Sequence, residues 1–463
     1  MRHVSLAILL FVGALAGCVQ PQAEEDSVDR NEEELVPWED LGASVFSDEH
    51  DHRDRSIHNE VAQGLKVLNV STLSDDGLSL GEYTEADHEH GLIAFAIVTG
   101  PGSSMRIAFL DEDDLPAIKV VGYFDEPDSY GDVKFDSELP FVYVPYPGDK
   151  AFSIWDITDV TKPRRVGEAQ GQGCHMLHAM PIDDVSHVFC AGLGGSYVYR
   201  IEETAQGVQA VPVAVAAPQN DPEVARYASY YEDLSPLGPA LLTTPHDQTA
   251  QPDPLTNEPL LVTAHELQGI RVFDVSVPAA PREISYWRGD GMNDYELERV
   301  HTVGLAEING RRIGFGATET FTDVEPALYI VDFTDWANPR FLARWTPPGI
   351  PGDQGITYSL HNLQVVGTRL YLTNFHGGLW VLDVADPSNP VPLALRHPVR
   401  DTEYPRPGEF MQIGDFQIFN NVNQYWDVIV VNGYTIVTDM SAGIEVFLVD
   451  GDPAGDPEWD GFT

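Results

Sequence analysis

One spacing recurs four times along the chain and constrains its fold more than any other feature. An Asp is followed seven residues later by a Pro, with a short β-rich apolar run before the Asp and another apolar alternation after the Pro. The Asp carboxylate can accept backbone N–H groups in a turn, and the Pro starts a strand where no N–H is required. Each segment therefore predicts two antiparallel strands joined by a wide turn. The four pairs are Asp156 and Pro163, Asp274 and Pro281, Asp332 and Pro339, and Asp383 and Pro390.

Two further strand-like runs precede each of these turns and complete a unit of four strands. The clearest unit, 361–396, reads as four strands separated by a Gly turn, a Gly-Gly turn and the Asp turn. Repeats of this kind predict an all-β β-propeller with seven four-stranded blades, in which radial closure removes exposed sheet edges. The last unit lacks a good fourth strand, and segment 64–83 is expected to supply it. We expect the units at about 84–124, 130–170, 174–216, 240–288, 298–346, 358–397 and 411–450.

The best repeats resemble the LVIVD-repeat family of bacterial and archaeal surface propellers. They are "LWVLDVADPSNPV", "IRVFDVSVPAAPRE" and "LYIVDFTDWANPR", and the resemblance covers about residues 60–450. It implies a surface propeller. It implies nothing about chemistry, because the family is defined by its repeat and propellers host many functions.

The N-terminus carries a candidate export signal. Arg2 is followed by an apolar run at 6–16 that is too short to span a membrane. The run ends in LAGC at 15–18, which resembles a lipoprotein signal box, so Cys18 is predicted to be lipidated and to become the N-terminus. An ordinary cleaved signal peptide is the alternative. The predicted divisions are a lipoprotein signal peptide at 1–17, an acidic tether at 18–55, the propeller at 56–450 and an acidic C-terminal tail at 451–463.

The net charge argues against several classes of partner. Acids number 73 and bases 26, which leaves −47. Such a surface repels nucleic acid and anionic lipid, so we expect no nucleic-acid partner and a membrane contact through the lipid anchor only. The expected location is extracytoplasmic, at the cell surface or in the periplasm, and the expected partner is a small molecule or a surface protein. The sequence has no P-loop, G-x-S-x-G or H-E-x-x-H motif that would indicate nucleotide-dependent or common hydrolase chemistry.

Two cysteines, Cys174 and Cys190, form a candidate disulfide in an oxidising compartment. A simple hairpin with its turn near Asp183 does not place them opposite each other. The sequence therefore leaves two alternatives open, a disulfide and a free Cys174 that extends a metal cluster.

Most histidines fall at two repeated places. One set begins the first strand of a unit, and the other closes the second strand. Because the first strands of a propeller line its central channel, side chains in the same register point toward one axis. Several imidazoles with a carboxylate suit Zn, Cu or Fe. The candidate metal ligands are His246, His301 and His361 from the first set and His265, Glu319 and His376 from the second; unit 1 offers His88 or His90, and unit 3 offers His175 or His178.

The histidine pattern has a structural alternative, in which each ring bonds a backbone carbonyl. Two functional hypotheses follow. The first is a lipid-anchored, extracytoplasmic binding or interaction module. The second is a metal-dependent, His-ligated oxidoreductase with one transition metal ion at the channel mouth. The sequence identifies no catalytic residue, and its strand tryptophans, Trp426 included, are expected to pack within the blades.

Overall fold

The described part of the chain consists of β-strands joined by turns and loops. No helix there is long and apolar enough to cross a membrane. The predicted signal peptide 1–17, the tether 18–55, Cys18 and His376 lie outside the described residues. The computed structural model describes residues 62–71, 82–99, 102–113, 116–129, 131–205, 207–218, 244–265, 268–289, 300–319, 326–347, 359–375, 377–396, 410–413, 416–419, 425–440 and 443–459.

Seven antiparallel sheets form the blades, and a separate two-stranded ribbon accompanies them in the described residues. Six blades contain four strands that are consecutive in the chain, and the seventh takes its fourth strand from the N-terminal part. The chain begins with β1 (Ala62–Gln63) and β2 (Leu65–Ser71). Blade 1 contains β3 (Glu82–Glu89), β4 (Leu92–Thr99), β5 (Gly102–Asp111) and β6 (Ala117–Glu126). Blade 2 contains β7 (Lys134–Phe135), β8 (Phe141–Pro145), β9 (Lys150–Asp156) and β10 (Arg164–Gln170). Blade 3 contains β11 (Leu177–Ile182), β12 (Val185–Gly192), β13 (Gly195–Thr204) and β14 (Gly207–Ala216).

The second half of the chain continues the same pattern. Blade 4 contains β15 (Asp247–Pro252), β16 (Pro259–His265), β17 (Gly269–Asp274) and β18 (Arg282–Trp287). Blade 5 contains β19 (Val300–Ile308), β20 (Arg311–Thr318), β21 (Leu328–Asp332) and β22 (Arg340–Trp345). Blade 6 contains β23 (Leu360–Val366), β24 (Arg369–Asn374), β25 (Gly378–Asp383) and β26 (Val391–Arg396). The ribbon of β27 (Phe410–Ile413) and β28 (Phe416–Phe419) precedes β29 (Tyr425–Val431), β30 (Tyr434–Asp439) and β31 (Gly443–Val449) of blade 7.

The ring is closed by the N-terminal strand. β2 pairs with β31 and becomes the fourth strand of blade 7, as predicted, with Leu65 opposite Val449. β1 adds a short fifth strand to blade 6. The first strands of the blades contact one another in the closed order β3, β7, β11, β15, β19, β23, β29 and back to β3. The seven-bladed propeller is thus confirmed, and its first strands form the inner wall.

The start of the last unit differs from the prediction. Blade 7 begins at Tyr425 and not at 411, because β27 and β28 pair with each other as a separate ribbon. Seven hydrophobic clusters fill the seven junctions between neighbouring blades. In the junction of blades 5 and 6, for example, Trp345 packs edge-on against Trp380 with ring centroids 5.5 Å apart. The burial of apolar side chains between neighbouring blades therefore stabilises the ring.

The Asp of the recurrent spacing stabilises its turn, as predicted. In all four segments one carboxylate oxygen accepts the backbone N–H two residues on, at 2.8–3.0 Å. In blade 4, the second oxygen of Asp274 accepts from Arg282 on the next strand at 2.7 Å. Ser276 also donates its hydroxyl to this Asp at 2.6 Å. The spacing recurs in four blades because the Asp of each turn accepts the same backbone amide, two residues on.

We expect Asp274→Ala to lower the free energy of unfolding by about 1 kcal/mol, since it removes the acceptor for Ser276 and the partner of Arg282. Urea unfolding measures the change. Asp274→Asn keeps an oxygen that can accept the Ser276 amide. It should therefore lose much less stability than Asp274→Ala. A full-stability Asp274→Ala variant would contradict the structural role.

The beginning of the predicted C-terminal tail packs against the propeller. Asp452 is buried, pairs with Arg369 and accepts from the Tyr371 hydroxyl at 2.8 Å. The carbonyl of Trp459 accepts from the Gly433 amide at 2.7 Å. Residues up to 459 therefore fasten blade 6 to blade 7.

Candidate metal centre in the channel

A β-bulge at the start of the first strand directs side chains into the channel in four blades. In each, the first strand has one residue more than its partner, between Tyr83 and Ala86, Val300 and Thr302, Leu360 and Leu363, or Tyr425 and Val428. A bulge re-aims the side chains that it contains. The bulged residues are Thr84 and Glu85, His301, His361 and Asn362, and Trp426 and Asp427.

Five rings from five consecutive blades stand side by side at this level. His175 and His246 have ring centroids 4.3 Å apart, and His246 and His301 are separated by 4.2 Å. His301 and His361 are also 4.2 Å apart, and Trp426 follows His361 at 4.1 Å. We call the four imidazoles the histidine arc. The structure thus brings three of the predicted ligands, His246, His301 and His361, into one row.

Glu319 lies directly beside the arc, just after the end of β20. Its Oε2 atom is 3.9 Å from Nε2 of His246 and 3.7 Å from Nε2 of His301. The ligand atoms of these three residues all lie within 4.8 Å of one another. Donors about 2.1 Å from an ion are about 3.4 Å apart at the tetrahedral angle and farther apart at wider angles. The two separations from Glu319, 3.9 Å and 3.7 Å, therefore suit one ion held between these side chains.

Burial disfavours the charged form of the two most buried imidazoles of the arc, His301 and His361. Burial, and then the neighbouring His361, His246 and His175, lower the pKa of His301 well below its ordinary value. Its contact with Glu319 is consequently not an ion pair at neutral pH. Burial likewise lowers the pKa of His361 well below its ordinary value. Neutral imidazole is the form that binds a metal ion.

A backbone carbonyl determines the tautomer of His361. Its Nδ1 atom is 2.9 Å from the carbonyl oxygen of Trp426. Because a carbonyl only accepts, Nδ1 carries the hydrogen and Nε2 keeps its lone pair. The ring thus makes the backbone bond of the structural alternative and still offers a nitrogen to a metal, which is how ligating histidines are commonly oriented.

Other predicted positions lie elsewhere. His265 is buried at the end of β16, with Nε2 3.0 Å from the Thr263 hydroxyl, and the structure does not bring it into the group with Glu319. In blade 1, Glu85 and not His88 or His90 occupies the bulge. His90 is instead 3.1 Å from the Asp136 carbonyl.

In blade 3 the arc takes His175 and not His178. Burial and the charge of Lys134 lower the pKa of His178 to about 4. Cys174 is joined to Cys190 by a disulfide, with the Cα atoms 5.2 Å apart. Cys174 is therefore not a thiolate ligand.

A buried charged cluster that the sequence did not indicate adjoins the arc. Lys134 lies 2.9 Å from Asp132 and 3.8 Å from Glu85. The Asn362 amide donates to Glu85 at 2.8 Å and to Asp427 at 2.9 Å. Burial, and then the Asp427 carboxylate, raise the pKa of Glu85 well above its ordinary value. We call Glu85, Asp132, Lys134, Asn362 and Asp427 the lysine cluster.

Carboxylates at this level also hold neighbouring blades in register. Asp427 accepts the Ala86 amide of blade 1 at 2.8 Å. Asp87 of blade 1 accepts the amide of Phe135 in blade 2 at 2.7 Å. Asp132, in turn, accepts the amide of Leu177 in blade 3 at 3.0 Å. These bonds fasten the inner strands to one another and give the channel wall a defined geometry.

Comparisons with known proteins support no closer assignment. No protein-family model matches the chain, and no curated protein matches it significantly. Among solved structures, BamB from Moraxella catarrhalis is 11% identical, with a TM-score of 0.42 over 80% of this chain and 84% of that chain. The computationally designed Ika8 protein is 7% identical, with a TM-score of 0.41 over 84% of this chain and 100% of that chain. The resemblance to the LVIVD-repeat family stays a prediction, and the classification as a seven-bladed β-propeller rests on the seven sheets of the chain itself.

Proposed function

We propose that this protein is an extracytoplasmic β-propeller that binds its ligand through one transition metal ion in the channel. The observation that carries the proposal is the group of His246, His301 and Glu319, whose donor atoms lie within 4.8 Å of one another. Two imidazole nitrogens and a carboxylate suit Zn, Cu or Fe. The ring of His361 lies next to that of His301, with centroids 4.2 Å apart.

The donor set is more typical of a metal site that binds an external ligand than of a purely structural metal site. Structural zinc sites are closed by four protein ligands, mostly cysteines, whereas sites with three protein ligands leave a position for water or substrate. The exposed fraction of the side chain falls from 21% at His246 to 4% at His301, so the ion would be approached from the His246 side. With a redox-active ion, the same site would support the oxidoreductase alternative.

Metal analysis tests the proposal directly. Protein purified without a His tag should hold about one transition metal ion per chain, and His301→Ala should weaken binding by about 100-fold or more, because His301 contributes the central imidazole. Trp336→Phe is the matched control, since Trp336 packs against Phe333 with ring centroids 6.1 Å apart, away from the arc. A wild-type protein that is free of metal and cannot be loaded would end the proposal.

The pH dependence of binding adds a second criterion. Protons compete with the metal only below the imidazole pKa, and burial lowers the pKa of His301 and His361. Binding should therefore persist below pH ~6.5, where exposed histidines become protonated. A site built from surface histidines would instead release its metal through that range.

The extracytoplasmic address is supported by two features of the chain. The disulfide between Cys174 and Cys190 suits an oxidising compartment. The LAGC box at 15–18 resembles a lipidation signal. Cys18→Ser should release the protein to the soluble fraction or leave the signal uncleaved, as read by detergent partitioning and N-terminal mass. An unchanged membrane fraction with normal processing would contradict lipidation.

A further inference from the structure

The group of His246, His301 and Glu319 spans the junction between two blades. His301 and Glu319 come from blade 5, whereas His246 immediately precedes β15 of blade 4. The 3.7 Å between His301 and Glu319 is therefore set within one blade, and the 3.9 Å between His246 and Glu319 is set across the junction. Because a metal site requires its ligands to be held to within about 0.5 Å, binding depends on how the two blades are fastened at this level.

Alternate residues of β15 bond to β19 across this junction. The Thr249 hydroxyl donates to the Val303 carbonyl at 3.0 Å, and the Gln251 side-chain amide donates to the Leu305 carbonyl at 2.8 Å. Residues two apart on a strand point to the same side, so Asp247 belongs to the same series. These polar side chains hold the inner strands of blades 4 and 5 in register.

The member of the series nearest the metal group is a hydrogen bond between Asp247 and Thr302. The Asp247 carboxylate accepts from the Thr302 hydroxyl. Asp247 follows His246 and Thr302 follows His301, so this bond joins the neighbours of both imidazole ligands. The carboxylate also accepts the Gln248 amide at 2.6 Å, which fixes its orientation. Asp247 and Thr302 are both buried, so water competes little for the bond.

The backbone next to Thr302 determines where the His301 ring stands. His301 is the extra residue of the bulge, and Thr302 is the first residue after it that pairs regularly, opposite Ala317. His361 bonds a carbonyl through Nδ1, whereas Nδ1 of His301 has no hydrogen-bond partner among the described residues. The ring of His301 is therefore placed by its backbone and by the neighbouring side chains.

We infer that Asp247 and Thr302 are positioning residues of the channel metal centre, and that their hydrogen bond sets the distance from His246 to the two ligands of blade 5. The inference rests on the proposed metal site and deepens it. The donor atoms that lie within 4.8 Å of one another are those of His246, His301 and Glu319. Asp247 and Thr302 therefore act through the backbone beside the ligands and not as ligands themselves.

Cobalt titration of the full chain tests the inference, because the visible spectrum of Co²⁺ reports the number and geometry of its ligands. Thr302→Val keeps the shape of the side chain and removes the hydroxyl without changing a charge near the ion. We expect it to weaken Co²⁺ binding by about 10-fold or more and to change the spectrum. Thr302→Ser keeps a hydroxyl and should retain most of the affinity. Thr249→Val is the matched control, since it removes one hydroxyl bond from the same junction at a position that does not adjoin a ligand.

Urea unfolding of the metal-free variants separates positioning from stability. Thr302→Val and Thr249→Val each lose one bond between blades 4 and 5, so both should be destabilised to a similar extent. Only Thr302→Val should lose metal affinity. Wild-type affinity and spectrum in Thr302→Val, or an equal loss of affinity in Thr249→Val, would overturn the positioning role while leaving the proposed function intact.

A double-mutant cycle identifies the ligand that the bond positions. If the bond places His246, adding Thr302→Val to His246→Ala should weaken Co²⁺ binding little further. Additive losses would show that the bond does not act through His246 and would overturn the inference. A wild-type protein that takes up no Co²⁺ would overturn both the inference and the proposed function. All titrations are made on protein whose thermal unfolding is cooperative, and Thr302→Ala replaces Thr302→Val if that variant does not fold.

Discussion

Replacing Lys134 by Met is expected to lower the free energy of unfolding by about 3–5 kcal/mol, the loss that follows when one partner of a buried ion pair is removed. The side chain of Lys134 is only 14% exposed and is 2.9 Å from Asp132. Its charge also lowers the pKa of Glu85 and Asp427, which are otherwise raised, first by burial. Methionine keeps the volume and removes the charge, so the carboxylates would remain buried without their cation.

The effect of Lys134→Met should depend on pH in a defined direction. A carboxyl whose pKa is raised in the folded protein binds a proton there before it does in the unfolded chain, so stability falls as pH rises through the raised pKa. Burial already raises the pKa of Asp87 to about 7 despite the pull of Lys134. Without the charge of Lys134, the pKa values of Asp87, Glu85 and Asp427 rise further. The loss in free energy of unfolding caused by Lys134→Met should therefore be largest at pH 8 and smallest near pH 5.

Urea unfolding at both pH values measures this difference. Lys119→Met is the matched control, since Lys119 pairs with Asp111 on the surface and is 56% exposed. That exposed pair should contribute only about 0–1 kcal/mol. Equal losses in the two variants, or a loss at Lys134 that does not change with pH, would show that the lysine cluster is well solvated.

The fold was predictable because its signal is local. Asp274 bonds to Ser276, two residues on, and the same turn recurs in blades 2, 5 and 6. A short-range device that is repeated at one spacing can be recognised without knowing which strands pair. The fourth strand of blade 7 could be inferred in the same way, since β31 lacked a following strand and the β2 run was unassigned.

The sequence predicted the histidines of the channel but not the other residues that line it. Those residues are brought together by bulges and by contacts between distant parts of the chain. Trp426 was expected to pack within a blade. A bulge turns it into the channel instead, where its indole N–H donates to Glu85, 341 residues away, at 2.9 Å. The signal that could have identified it is the polar residue that follows. Asp427 follows Trp426 as Asn362 follows His361, so the register recurs although the residue type changes.

The disulfide could not be predicted by assuming a regular hairpin and counting residues from its turn. The β11–β12 pairing sets Cys190 opposite Leu177, three residues after Cys174. The residues before β11 fold back along β12, where the His175 amide reaches the Ala191 carbonyl. Only this irregular turn brings the two sulfur atoms together, and strand periodicity says nothing about it.

The second large effect is expected from removing the closing strand. β2 forms six paired positions with β31, and Leu65 is buried in the cluster between blades 6 and 7. Burying one such side chain contributes about 1.5–3 kcal/mol and each net hydrogen bond about 0.5–1.5 kcal/mol. A chain that begins at residue 72 should lose more than about 5 kcal/mol, which is of the order of the whole stability of many domains.

A chain that begins at residue 62 is the matched control, because it lacks everything before β1 but keeps β2. Both chains are secreted behind the same foreign signal peptide, so that the disulfide forms in each. We expect the longer chain to unfold cooperatively and the shorter one to melt far lower and to associate, since β31 then presents an unpaired edge. A synthetic peptide of residues 62–71 should raise the melting temperature of the shorter chain in proportion to its occupancy, because it binds only the folded ring. Equal melting temperatures for the two chains would mean that three strands suffice for blade 7 and that the N-terminal strand does not close the propeller.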